Sequence, residues 1–264
     1  MGDHHKYSEF GYQEHHTAQK RQLFRHMSKI LTSKRVTVVC GGNGRIGKEL
    51  CKMLVQSGHY VIVWDKDDEP THDCLSDYHQ INLSNPESVK LLAKTIISEL
   101  EECDVFSYIN VSYPPNWTDH FSAFLYPTTI FAELMSERIN VTLNSVTSCG
   151  GNIILFSSIY GQMIPRFDIY EDTNVPEAPV WYGMCKSAIE YMTKYLAKKY
   201  RNLNINCIAP GGVKTNNMDD MFISQYEMHG GLLDAQSLNK VVMYLLSDKN
   251  ITGQNITIDN GFTL

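Results

Sequence analysis

No stretch of this 264-residue chain approaches the ~18 consecutive apolar residues that cross a bilayer. Its polar, His-rich N-terminus has no apolar signal-peptide core. These two absences argue against an integral membrane segment and make the cytoplasm the expected location. Basic charge is also scarce. The 23 Lys and Arg are outnumbered by 29 Asp and Glu, the net charge is -6, and no basic stripe runs along the body, so no nucleic-acid partner is expected. None of the seven Cys forms a CxxC pair, and their number is odd. Reduced, mostly buried thiols fit that usage best. The His pairs at 4–5 and 15–16 lack the acidic and Cys partners of a defined site, so no metal is expected. No internal repeat or low-complexity linker divides the chain, and the Asn-x-Ser/Thr matches at Asn110 and Asn140 are read as incidental.

What is present is an ordinary globular composition, 43% hydrophobic and 20% charged. Residues 1–34 form a polar and basic extension, partly disordered or helical. Within it Leu23, Phe24, Met27, Ile30 and Leu31 share one helical face flanked by Lys20, Arg21, Arg25 and Lys29. That helix is either a membrane-surface or targeting element or a segment packed on the body or on a neighbouring subunit. From Arg35 onward, strands and helices alternate. Strands are expected at Val36–Cys40, Tyr60–Trp64, Ile81–Leu83, Val105–Val111, Asn152–Phe156, Ile205–Ile208 and Asn255–Asp259. Helices are expected at Ile46–Gln56, Pro86–Leu100, 121–148, Trp181–Tyr200 and Leu238–Leu246. Near-continuous apolar strands separated by helices predict an α/β domain, a single doubly wound parallel sheet with helices on both faces, over 35–264.

Three features carry chemistry. The first strand runs into Gly41-Gly42-Asn43-Gly44-Arg45-Ile46-Gly47 before a helix, which is where a doubly wound sheet places a dinucleotide pyrophosphate. Asp65 closes the second strand. A carboxylate there accepts hydrogen bonds from the adenosine ribose and repels a 2′-phosphate, favouring NAD; Asp67 and Asp68 add to that, while Lys66 keeps NADP open. Tyr182 and Lys186, four apart on a predicted helix, face the same space. A cation there would lower the phenol from its usual value near 10 and fit it for acid–base work.

Taken together these residues resemble the short-chain dehydrogenase/reductase family over about Arg35 to Leu264, and within it a subgroup associated with bacterial surface-glycan and flagellin-sugar pathways. The family's TGxxxGxG motif reads Cys40 to Gly47 here, with Cys40 for the Thr and Arg45 for the middle Gly. Arg45 either reaches the pyrophosphate or points to solvent. Asn82-Leu83 matches the adenine-pocket segment. Asn110-Val111-Ser112, followed by Tyr113-Pro114, stands where the family has NNAG. Ser158 falls in the catalytic Ser position, Tyr182 and Lys186 match YxxxK, and Asn206 to Thr215 matches NxIxPGxVxT.

The resemblance implies a Rossmann-type domain binding NAD, with NADP as the alternative, through Gly41, Asn43, Arg45, Ile46, Gly47, Asp65, Asn82, Leu83, Asn110, Tyr182, Lys186, Pro210, Gly211, Val213 and Thr215. It implies reversible hydride transfer between a secondary alcohol and a ketone on a small molecule. Tyr182 is then the general acid/base, Lys186 lowers its pKa and holds the nicotinamide ribose, and Ser158 orients the substrate oxygen. Asn140 is the candidate for the family's catalytic Asn, although it precedes Ser158 by only 18 positions and an ungapped count falls near Phe131. The 23 residues between Ser158 and Tyr182 exceed the family's usual spacing. In this insertion Arg166, Tyr170 and Glu171 either hold a sugar's hydroxyls or phosphate or form a solvated loop. Residues 216–236 are expected to be a substrate lid. A homodimer or homotetramer on the helices near 121–148 and 181–200 is also implied. A catalytically inactive dinucleotide sensor or scaffold is the alternative; an extended sugar-nucleotide epimerase is disfavoured because only about 50 residues follow the Pro210 segment.

Overall fold

The computed structural model describes residues 35–99, 105–142 and 150–264. The expected extension at 1–34 lies outside them. Among the described residues seven strands, β1 (Arg35–Cys40), β2 (Tyr60–Asp65), β3 (Asp77–Gln80), β4 (Val105–Asn110), β5 (Gly150–Phe156), β6 (Asn204–Pro210) and β7 (Asn255–Ile258), form one sheet in the order β3-β2-β1-β4-β5-β6-β7. Every pairing is parallel. The β-branched run of β1 is wholly buried past Arg35, as expected of a central strand covered on both faces.

Among the described residues six α-helices cover the sheet: α1 (Arg45–Gln56), α2 (Pro86–Ser98), α3 (Trp117–Thr142), α4 (Val180–Lys199), α5 (Asp220–Glu227) and α6 (Asn239–Ser247). One apolar layer joins Val36, Trp64, Tyr108, Phe131, Ile153 and Ile189. The other joins Val39, Leu50, Leu54, Ile109, Ile154 and Val242. Strand order reverses at β1 and β4, which places a crevice at the carboxyl ends of the strands beside that reversal.

Two local departures from expectation have physical reasons. The third strand is Asp77–Gln80, not Ile81–Leu83. It is an edge strand, half exposed, and so needs no apolar run; buried Ile81 and Leu83 follow it, with Ile81 N–H donating to the Asp65 carbonyl. Helix α3 begins at Trp117 rather than 121, because the Asn116 side chain accepts from Asp119 N–H and caps the first turn.

Candidate active site

The crevice is a cleft of about 820 Å³ lined from the glycine turn at one end to Tyr226 at the other. At the first end, Gly41 has φ +79°, a left-handed conformation that suits glycine, and a Cβ there would lie 2.6 Å from Ser112 Cα. A Cβ on Gly47 would collide with the Gly41 carbonyl. Helix α1 has Gly44 as its N-cap, so no side chain caps it, and no acidic residue stands in its first turn. Its N-terminal N–H groups and dipole are therefore open to an anion at a place where backbone approaches closely. These features fit a dinucleotide pyrophosphate.

Asp65 sits at the end of β2, almost buried, with one carboxylate oxygen accepting from Asn43 N–H at 3.0 Å and the other from Lys66 N–H at 2.8 Å. The Asn43 side chain ties down the acidic loop that follows. It donates to Asp67 Oδ2, the Glu69 carbonyl and Tyr78 Oη, and accepts from Thr71 N–H. Asn82 and Leu83 line the same end with Ile81 and Ser84.

Arg45 stands in the lining with its side chain exposed. Its guanidinium crosses the cleft mouth and donates to the Val213 and Lys214 carbonyls at 3.1 and 2.6 Å. Asn110 lies beneath the lining and is fully buried. Its amide donates to Tyr108 Oη and the Ala123 carbonyl, and its oxygen accepts from Ser112 N–H and Oγ. It pins the 110–112 turn to α3. Pro210, Gly211 and Val213 line the wall, and Thr215 does not.

Ser158, Tyr182 and Lys186 all line the middle of the cleft. Ser158 follows β5, and its Oγ accepts from Tyr160 N–H at 3.2 Å. Tyr182 and Lys186 share the inward face of α4, as their spacing predicts. The Lys186 ammonium is buried; it donates to the Phe156 carbonyl at 3.0 Å and lies 5.5 Å from the Tyr182 ring centre. Burial lowers Lys186 from 10.5 to about 8. The Tyr182 phenol goes the other way from the simple cation argument. Burial pushes it up from 10, and only its hydrogen bond with Ser158 pulls it down. Desolvation of the phenolate outweighs an ammonium whose proton is given to a backbone carbonyl. The phenol is therefore a protonated donor at neutral pH.

The far end of the cleft is aromatic. Tyr113, Tyr160, Tyr170, Phe222 and Tyr226 line it beside Ser158 and Tyr182. Tyr170 Oη lies 2.8 Å from Tyr160 Oη, and its ring packs 5.4 Å from Phe222 on α5, inside the expected lid segment. Arg166 is outside the lining and pairs with Asp168 at 3.1 Å on the surface. Asn140 lies in the C-terminal part of α3, and Phe131, where an ungapped count falls, is buried among Trp64, Phe106 and Tyr108. Sequence reasoning missed Tyr113 and Tyr226 as lining residues. Tyr113 had a signal, a bulky ring where the resemblance leads to Gly; Tyr226 had only its place within the 216–236 segment expected to be a lid.

Residues 43–263 match a family model described as enoyl-(acyl carrier protein) reductase, most of the chain. The chain belongs to the short-chain dehydrogenase/reductase family. Members of this family are dehydrogenases and reductases acting on CH–OH groups with NAD(P). The chain is 27% identical over 263 residues to post-translational flagellin modification protein A of Campylobacter coli, covering 89% of this chain and all of that one. It is 26% identical to L-fucose dehydrogenase of Bos taurus over 69% of this chain and 67% of the relative. Among solved structures, a short-chain dehydrogenase from Leptospira borgpetersenii with bound NAD+ superposes with a TM-score of 0.72 at 24% identity, covering 88% of this chain and 94% of that one. The short-chain dehydrogenase/reductase fold thus extends over the described residues. Among them no helix is long and apolar enough to cross a membrane.

Proposed function

We propose that this chain is a cytoplasmic short-chain oxidoreductase that prefers NAD to NADP and interconverts a secondary alcohol and a ketone on a sugar or similar polar carbohydrate. The observation that carries the reading is the convergence of Ser158, Tyr182 and Lys186 on one wall of a cleft that begins at an uncapped, glycine-cradled helix N-terminus. Bound NAD(P) supplies the hydride acceptor or donor. The chain's own residues do the rest. Ser158 hydrogen-bonds the substrate oxygen and orients it, and Tyr182 Oη hands a proton to that oxygen or takes one from it. Lys186 holds a nicotinamide ribose and sets the charge beside the phenol. Asn140 stays the candidate for a fourth catalytic member.

The NAD preference rests on Asp65, whose carboxylate is fixed by two backbone N–H groups and followed by Asp67 in the same wall. The carbohydrate substrate is supported by the names of two relatives, the flagellin modification protein and the fucose dehydrogenase. The cytoplasmic location is supported by the free state of the described cysteines, Cys40, Cys51, Cys74, Cys185 and Cys207. A homodimer or homotetramer is supported by Trp117 and Phe121 on α3 and Met184, Tyr191 and Tyr195 on α4, large side chains exposed among the described residues on two helices that pack together.

The test follows nicotinamide absorbance with NAD and with NADP against a panel of free sugars, sugar phosphates and cyclic alcohols. Turnover that favours NAD supports the reading. Dinucleotide binding without turnover of any member would instead assign the chain to the sensor or scaffold class.

A further inference from the structure

Tyr113 is 65% exposed although it stands at the mouth of the cleft, its ring centre 5.6 Å from that of Tyr182. Leaving a large ring in water forgoes its hydrophobic burial, so an exposed ring at the cleft mouth suits a bound partner. The ring is also held in advance. Pro114 restricts the Tyr113 backbone to extended conformations. Beneath it the His120 ring meets Tyr113 edge-on at 5.3 Å and 89°. His120 is itself fixed: it is fully buried, packs on Phe124, and its Nδ1 lies 3.2 Å from the Pro114 carbonyl. A carbonyl only accepts, so Nδ1 carries the proton. Burial, with the Lys186 charge, keeps the ring neutral by lowering it to about 4. A neutral, clamped imidazole makes a rigid underlay for Tyr113.

The wall opposite is built in the same chemistry. Tyr160 and Tyr170 are joined through their hydroxyls, and Phe222 and Tyr226 continue the arc behind them. Among the described lining residues the charged side chains stand elsewhere. Arg45, Asp65, Lys66 and Asp67 belong to the glycine turn and the end of β2, and Asp119 caps against Asn116 beside Ser84. Lys186 is the cation nearest the aromatic end, and its ammonium is committed to the Phe156 carbonyl. Arg166, the cation of the 158–182 insertion, is paired with Asp168 outside the lining. A phosphate drawn into this end would be desolvated against tyrosine faces without a described cation to meet it. The C–H face of a ring, by contrast, packs well on an aromatic plane, with the Tyr160–Tyr170 hydroxyl pair placed to meet its polar edge.

We propose that Tyr113 is a stacking platform that selects an uncharged, ring-shaped alcohol or ketone, a free sugar rather than its phosphate or nucleotide ester. This rests on the oxidoreductase reading and narrows its substrate class.

The experiment measures kcat/KM of the full chain with NAD for free hexoses, deoxyhexoses and cyclic diols, each beside a phosphate monoester that keeps free ring hydroxyls, the anomeric one included in the sugars; D-mannose with D-mannose 6-phosphate and cyclohexane-1,4-diol with its monophosphate are two such pairs. The neutral member should win by roughly 100-fold, the cost of an unpaired buried charge. Tyr113→Ala should raise KM for the best neutral substrate about 10-fold with kcat changed less than about 3-fold, and Tyr113→Phe should leave KM near that of the unaltered chain. Equal or better use of the phosphate esters overturns the proposal while leaving the oxidoreductase reading intact. So does an unchanged KM in Tyr113→Ala. No turnover of any alcohol or ketone with either cofactor sinks the oxidoreductase reading and this proposal with it. The comparison of free and phosphorylated substrates needs no variant, so it decides even if Tyr113→Ala does not fold.

Discussion

The two ends of the cleft are built on different principles. The glycine-turn end is made from backbone: an open helix N-terminus, a left-handed Gly41, a carboxylate held by main-chain N–H groups. The far end is made from side chains brought in by four separate segments, around Tyr113, Tyr160 to Tyr170, Tyr182 and Phe222 to Tyr226. A backbone site has few solutions, because only certain residues permit its conformation and close approach. A side-chain wall has many. The first end therefore speaks for a shared cofactor and the second for a particular substrate, and substitutions at the two ends should separate binding of one from turnover of the other.

The largest effect is expected where the two ends meet. On the proposed mechanism, Tyr182→Phe removes the hydroxyl that exchanges the substrate proton and leaves the ring packing of Tyr113 and His120 in place. Turnover should fall by about 10²–10⁴-fold, while NAD affinity measured by calorimetry changes little. Near-normal turnover would remove Tyr182 from the chemistry.

Lys186→Met should break activity too, yet raise stability. Folded, the ammonium titrates near 8; unfolded, near 10.5. Between those values the unfolded chain holds the extra proton, so stability of the unaltered chain rises with pH from 8 to 10.5, and below 8 the buried charge weighs in full. Replacing it with an apolar chain of similar length should stabilise by about 1–3 kcal/mol at pH 7, with the advantage fading by pH 10.5. Denaturant midpoints of the two chains at pH 7, 9 and 10.5 would check this; an advantage independent of pH would refute it.

The same contrast explains what could be read from the sequence. The parallel doubly wound sheet, the glycine turn, Asp65 and the Tyr182–Lys186 pair were legible because each depends on local rules: strand patterning, glycine geometry, helical spacing; Ser158 was legible only through the family resemblance. The edge strand Asp77–Gln80 was not, since half-exposed edge residues carry no apolar signature. The rise of the Tyr182 pKa was not legible either. The i, i+4 spacing shows that a cation is near, but not that its proton goes to the Phe156 carbonyl or that packing dries the phenol. Nor were Tyr226 and His120, which reach the site only through tertiary packing.

Gly41→Ala tests the backbone end. A Cβ there meets Ser112 at 2.6 Å in a left-handed conformation, so the substitution should cost at least ~1–2 kcal/mol in stability and weaken NAD binding beyond tenfold. Thermal melting with and without NAD separates the two losses. Asp65→Ser should shift preference toward NADP by about tenfold in kcat/KM, since on the proposed reading it removes the carboxylate that would repel a 2′-phosphate.

The smallest effect should come from Arg45→Ala. Arg45 ties the glycine turn to the Val213 and Lys214 carbonyls across the cleft mouth, but its side chain is exposed, and hydrogen bonds so placed contribute about 0.5–1.5 kcal/mol. If it acts only as this bridge, Arg45→Ala should speed both NAD association and release, leaving the equilibrium affinity within about fivefold, and melting without cofactor should fall slightly. If the guanidinium instead swings onto the pyrophosphate when the dinucleotide enters, affinity alone should fall, by tenfold or more, and the loss should shrink as salt is raised. Stopped-flow binding at two ionic strengths distinguishes a strap made of backbone contacts from a cation that belongs to the cofactor.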